Sequence, residues 1–166
     1  MNKVVLSFIS LILLSFNICH ASDEYKLSAG ISIDDVPQVL YGNWRVVAKL
    51  KESDSYGTFK PQSVDMWTLS RIGNQITLSN PFSGANATIS LQTVEGNLVI
   101  FSKKTPYGNK MLTDTISIRL DNNKFSGINT LSLESFSQVD KHSLSKENAV
   151  YIIKGEKLSG DSILKD

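Results

Sequence analysis

From Tyr41 onward the chain alternates between inward-type apolar and outward-type polar residues, and turn-forming clusters break the alternation at regular intervals. Trp44, Val46, Ala48 and Leu50 alternate with Arg45, Val47, Lys49 and Lys51, the period-two pattern of a strand with one buried face. Trp67 and Leu69 share a face of the segment 64–71, and Ile76 and Leu78 share a face of 75–79. Ala87, Ile89 and Leu91 then alternate with Thr88, Ser90 and Gln92. Further strands are predicted over 98–103, 112–120, 125–136 and 150–158. In the second of these, Ile116, Ile118 and Leu120 oppose Thr115, Ser117 and Arg119. The breaks are 52–62, 72–74, 80–84, 95–97, 105–109, 121–123 and the polar stretch 137–147. Most are rich in Gly, Asn, Pro, Asp and Ser, which accept turn backbone. Gly127 marks an expected bend or bulge.

Eight strands joined in sequence by short connections predict an antiparallel, all-β meander. No helix longer than one turn is expected. That turn is predicted at 34–40, with an acidic start and Pro37 in its first turn. Strands with one apolar face each close into an eight-stranded up-and-down barrel, which removes exposed edges. A two-sheet sandwich is the structural competitor.

The first residues follow a different rule. Lys3 precedes an apolar stretch over 4–16, and Cys19-His20-Ala21 follows. This is the pattern of a secretory signal peptide cut after Ala21, too short for a membrane span. The expected organisation is therefore a signal peptide at 1–21, a leader at 22–40, a barrel at 41–158 and a frayed tail at 159–166. The protein is expected to be exported, periplasmic or extracellular, with no membrane span after cleavage.

Removal of 21 residues leaves 145 of the 166, and the single cysteine leaves with them. A domain of that length buries enough surface to stand without disulfides. Thiolate nucleophiles and thiolate metal sites are excluded. The chain has 17 Lys+Arg against 16 Asp+Glu. Such a balance, with no basic tract, argues against nucleic acid as a partner.

Candidate chemistry is sparse. His142 is the one histidine beyond the signal peptide and sits in a polar loop beside Lys141. Ser143-Leu144-Ser145-Lys146 has the Ser-x-x-Lys spacing but lacks the helix such a nucleophile needs, and there is no Gly-x-Ser-x-Gly turn. Asp34-Asp35 and Asp121-Asn122-Asn123 read as a helix start and a hairpin turn rather than metal ligands. No catalytic residue, metal or cofactor is expected, and the protein is not expected to be an enzyme. Asn86-Ala87-Thr88 is a glycosylation sequon if the host is eukaryotic.

Gly42-Asn43-Trp44 opens the first strand just after the short helical turn, and seven strands follow. This layout resembles the lipocalin-like (calycin) small barrels, here of a bacterial type. The resemblance departs at Thr113-Asp114-Thr115, which lacks the family's tyrosine. It departs again in the absence of the late arginine that packs over the first-strand tryptophan, where Lys154 and Lys157 are the nearby cations. The family's disulfide cannot form. The resemblance implies an exported, non-enzymatic binding module that holds an apolar or amphipathic small molecule.

Gly42 and Trp44 then form the structural motif, with Trp44 as a core plug. By alternation the expected ligand-binding residues are Val46, Ala48, Trp67, Leu69, Ile89, Leu91, Ile116 and Ile118, with Trp67 placed to stack on a ligand. Tyr56, Phe59, Phe82 and Tyr107 fall in turns, where they gate a cavity, cap the core or mark a protein-binding patch. The alternative is a protein-interaction domain, such as a periplasmic protease-inhibitor-like or envelope factor acting through its rim loops. An outer-membrane barrel conflicts with the outward Arg45, Lys49, Lys51, Gln92 and Arg119.

The export reading is checked by N-terminal sequencing of exported material. The mature chain should begin at Ser22, and an intact Met1 would overturn the assignment of compartment.

Overall fold

The alternating segments form strands in a computed structural model that describes residues 31–160 and 162–164. The signal peptide expected at 1–21, its cut after Ala21 and the leader up to residue 30 lie outside the described residues. The strands are β1 (Gly42–Ser53), β2 (Gln62–Ile72), β3 (Gln75–Asn80), β4 (Ala85–Thr88) and β5 (Ser90–Glu95). They continue with β6 (Leu98–Tyr107), β7 (Lys110–Asp121), β8 (Lys124–Phe136), β9 (Ser143–Ser159) and β10 (Ser162–Leu164).

Their order in the sheet is β4-β3-β2-β1-β9-β8-β7-β6-β5, with every neighbouring pair antiparallel. The last long strand thus lies beside the first. β4 pairs with β3 and β5 pairs with β6. Between them Ile89 donates its N–H to the Ile76 carbonyl (2.9 Å). The chain itself therefore carries the sheet from one edge to the other. The result is an all-β, antiparallel up-and-down barrel, nearly closed. All eight expected strands are present, the fourth divided at Ile89 into β4 and β5.

Five local expectations change. The turn expected at 34–40 is two 3-10 turns, Ile33–Asp35 and Gln38–Leu40, split by extended Val36 and Pro37. A proline pushes the residue before it out of the helical region, so Val36 ends the first turn. β9 starts at Ser143 rather than 150, because the second half of β8 supplies a ladder that the polar sequence does not advertise. β6 runs on through Pro106. Beyond Ser102 it has no β5 partner, so the missing N–H is not needed. The tail expected to fray adds β10, which runs parallel to β2 because it continues the direction of β9 past the start of β1. At Gly127 the β7–β8 register is unbroken. Its missing side chain instead leaves room for the Ser117 carbonyl, which would stand 2.0 Å from a Cβ.

Each residue of Gly42-Asn43-Trp44 has its own task at the closed end. Gly42 has φ +127°, and a Cβ there would stand 1.9 Å from the Gly160 carbonyl oxygen. Only glycine meets both conditions. Asn43 ties the neighbouring strands together, donating to Ser159 Oγ and accepting from Thr68 Oγ1 (both 2.6 Å).

Trp44 turns inward, fully buried, and its Nε1 donates to the Leu40 carbonyl (2.9 Å). Phe125 packs on it at 5.1 Å and on Trp67 at 5.9 Å, over the bare backbone of Gly155. Lys157 lies over the Trp44 ring at 5.6 Å and donates to the Val39 carbonyl (2.9 Å). Leu69, Val99, Phe101, Ile116, Ile118 and Ile153 fill the rest of this half, and Leu40 and Tyr41 seal it from below.

Trp44→Ala should cost about 3–5 kcal/mol, as emptying a large aromatic site does. Gly42→Ala should cost at least about 2 kcal/mol, from the forced φ and the backbone collision. His142→Ala, on an exposed loop, should stay within about 0.5 kcal/mol. Urea denaturation of the three variants checks this ranking, and a harmless Gly42→Ala would refute the account of the motif.

Candidate functional site: a half-polar cavity at the barrel mouth

The inward rows change character on the way from the closed end to the mouth. In β2 the row runs from Leu69 and Trp67 to Asp65, and in β3 from Ile76 and Leu78 to Asn80. In β6 it runs from Val99 and Phe101 to Lys103, and in β7 from Ile118 and Ile116 to Asp114. β8 places Asn129 between Gly127 and Leu131. Apolar side chains close the base. The five polar ones cannot interdigitate in the same way, and an open cavity of about 310 Å³ remains above them. Val46, Ala48, Trp67, Leu78, Leu112 and Leu131 give it apolar walls. Ser63, Asp65, Asn80, Lys103, Asp114, Asn129 and Tyr151 add polar ones.

The β1–β2 loop folds over one side of the mouth and contributes Thr58, Phe59 and Lys60 to the lining. Phe59 is buried. The loop is held at its start by Asn148, whose N–H and Nδ2 both donate to the Asp54 carboxylate (2.6 and 2.9 Å). These bonds hold the Asp54 pKa below the usual carboxylate range. At its end the Leu50 N–H donates to the Pro61 carbonyl (2.8 Å), and Tyr151 Oη donates to the Lys60 carbonyl (2.9 Å). Burial raises the Tyr151 phenol pKa.

The electrostatics centre on Asp114, only 6 % exposed. Lys103, its cross-strand partner, places Nζ 2.9 Å from Asp114 Oδ2. Burial still raises the Asp114 pKa. Lys103 opposes that shift by charge and hydrogen bond, Asn129 opposes it more weakly, and the negative charge of Asp65 adds to it. Asp65 accepts from Ser63 Oγ and from Asn80 Nδ2 (both 3.2 Å). The Asn80 Oδ1 accepts the Phe82 and Ser83 N–H groups (3.0 and 3.3 Å), which shapes the β3–β4 turn. Asp114 Oδ1 and Asn129 Oδ1 are buried without a hydrogen-bond partner.

Of the residues expected to meet a ligand, Val46, Ala48 and Trp67 line this cavity. Leu69, Ile116 and Ile118 lie in the packed base, where the aromatic layer leaves no space. Ile89 is buried at the junction of β4 and β5. With Leu91 it borders a separate surface depression beneath residues 31–34. His142 is exposed and bonded to Asp140, apart from the cavity lining.

Asp65, Asn80, Lys103, Asp114 and Asn129 do not stand out as inward when apolar residues alone are followed along the strands. Parity was the available signal. Asp114 has the parity of Ile116 and Ile118, and Lys103 has that of Phe101. Among the described residues, no group of three His, Cys, Asp or Glu side chains is placed to hold a metal ion. Among the same residues, no helix is long and apolar enough to cross a membrane.

Asp114 holds its proton more tightly in the folded chain than in the unfolded one. Between the ordinary value of 3.8 and the raised value, folding therefore takes up a proton, and stability falls as pH rises through that window. Asp114→Asn removes this slope. Urea titrations across the acid range should show the variant gaining on the native protein from about pH 4 upward, then levelling off. Parallel curves at every pH would refute the buried, unfavourable ionisation of Asp114.

Comparison with protein families, curated protein sequences and solved structures gives no significant match to this chain.

Proposed function

We propose that this chain is an exported, non-enzymatic barrel of the lipocalin-like (calycin) type that holds one small amphipathic molecule at its mouth. The observation that carries the reading is the cavity of about 310 Å³, whose lining combines the apolar Trp67, Leu78 and Leu131 with the polar Asp65, Asn80, Lys103, Asp114 and Asn129. Ligand sites span about 300–1,000 Å³ and combine apolar walls with a few directing polar groups. This one lies at the small end. The Gly42-Asn43-Trp44 motif on the first strand supports the calycin-like assignment, as does Lys157 over the Trp44 ring, where the resemblance puts an arginine. In this reading Trp67 and Phe59 supply apolar contact, and the Asp65–Asn80 and Lys103–Asp114 pairs orient the polar end.

A second reading rests on a different observation. The mouth loops and adjoining strand ends each expose an apolar side chain: Tyr56, Phe82, Tyr107, Val139 and Leu144, with Val139 at 94 % exposure. A ring of this kind suits a protein partner gripped by the rim.

A variant separates the two, because Ala48→Phe fills the cavity and leaves the rim unchanged. In a fluorescence titration, 2-naphthol should quench the tryptophan emission of the native protein along a saturable curve. Ala48→Phe should weaken that binding at least about tenfold while still unfolding cooperatively. Absence of saturable quenching in the native protein would sink the carrier reading and leave the rim as the working surface.

A further inference from the structure

The chemical sense of the cavity follows from its polar atoms. Resting on the carrier reading above, we infer that the ligand carries a hydrogen-bond-donating, positively charged head, a primary ammonium on a short apolar body, rather than a carboxylate.

Asp114 and Asn129 are 6 % and 8 % exposed, line the cavity, and each keeps an acceptor oxygen without a partner. A buried acceptor without a protein partner is unfavourable, so a ligand that donates to it gains over one that does not. The charges facing the cavity are Asp65, Asp114, Lys103 and Lys60, together with the Tyr151 phenol. Lys103 is matched by Asp114. Lys60 is exposed at the rim, where water screens it.

Asp65 is half-buried and receives only neutral donors, the Ser63 hydroxyl and the Asn80 amide. Among the described residues, the interior therefore holds one negative charge that no buried cation answers, together with two open acceptors. A carboxylate head would meet like charge and bring no donor. A plain hydrocarbon would donate to neither oxygen. An ammonium brings three donors and the complementary charge, while its apolar body can lie against Trp67 and Leu131.

Calorimetric titration of the native protein with hexylamine, 1-hexanol and hexanoate at neutral pH tests this, because the three share one tail and differ in the head. Hexylamine should bind at least about tenfold tighter than hexanol, with hexanoate weakest. Asp114→Asn should erase the amine preference while keeping hexanol binding. Asn129→Asp, which adds a second carboxylate facing the head without deleting the pair with Lys103, should increase the preference. Hexanoate binding as well as or better than hexylamine would overturn the inference and leave the carrier reading intact. Equal binding of all three would do the same. If none of the three binds while 2-naphthol does, the inference falls and the carrier reading stands, and if 2-naphthol fails as well, both fall. If Asp114→Asn does not fold, the native series and Asn129→Asp still decide the question.

Discussion

The barrel depends on a single layer of rings near its closed end. Trp44, Phe125 and Trp67 pack in contact, with Phe125 lying over a glycine backbone and the Trp44 indole held by the Leu40 carbonyl. The layer spans the barrel from β1 and β2 to β8, so it joins strands far apart in sequence. It also sets a floor. Below it the side chains are apolar and the space is full. Above it the rows can turn polar without exposing the core. Without that floor, the inward Asp65, Lys103 and Asp114 would destabilise a continuous core. With it, they face an open mouth.

The same layer explains how a barrel with no cysteine among its described residues supports a partly hollow fold. Filling one half of the barrel concentrates the burial of large side chains, which contributes about 1.5–3 kcal/mol for each fully buried aliphatic or phenylalanine side chain. The other half gives up some of that. A buried ion pair such as Lys103–Asp114 is close to neutral for stability compared with an apolar pair of similar volume. Two unpartnered acceptor oxygens are a net loss. Stability and cavity therefore occupy different levels of one barrel. Base and mouth meet at Trp67, which belongs both to the ring layer and to the cavity wall, and changes away from it are expected to act almost independently.

Strand positions were legible because period-two alternation is strong in β1, β3 and β7, and the turns carry Gly and Asn where the backbone needs them. The first half of β9 was not legible. Ser143–Asn148 has no apolar alternation and pairs only because β8 is long enough to receive it. The division at Ile89 was invisible for a similar reason: alternation runs straight through 87–91, and only the sheet shows which neighbour each half chooses. For the site, Val46, Ala48 and Trp67 were readable as inward, but the floor was not. Nothing in one strand's sequence says how high Phe125 reaches. The polar group was readable in principle from parity, since an inward Asp among inward isoleucines breaks the pattern. The signal is masked because Thr113-Asp114-Thr115 also reads as a polar strand opening.

The β1–β2 loop links this interior to solvent in an uneven way. Its start is fixed by the Asp54–Asn148 bonds, which lie on the outside of the mouth and do not depend on what the cavity holds. Its end is fixed by the Leu50–Pro61 backbone bond. Between these anchors the loop meets the interior through Phe59 and through the Tyr151–Lys60 hydrogen bond. One neutral hydrogen bond contributes about 0.5–1.5 kcal/mol, and a side chain such as Phe59 about 1.5–3 kcal/mol when fully buried. Moving this segment aside is therefore a change of a few kcal/mol that leaves both anchors and every strand pairing intact. Opening the base would mean breaking the aromatic layer. The interior is thus open to solvent at the mouth alone among the described residues, because the opposite end is packed and the loop covers the mouth only in part.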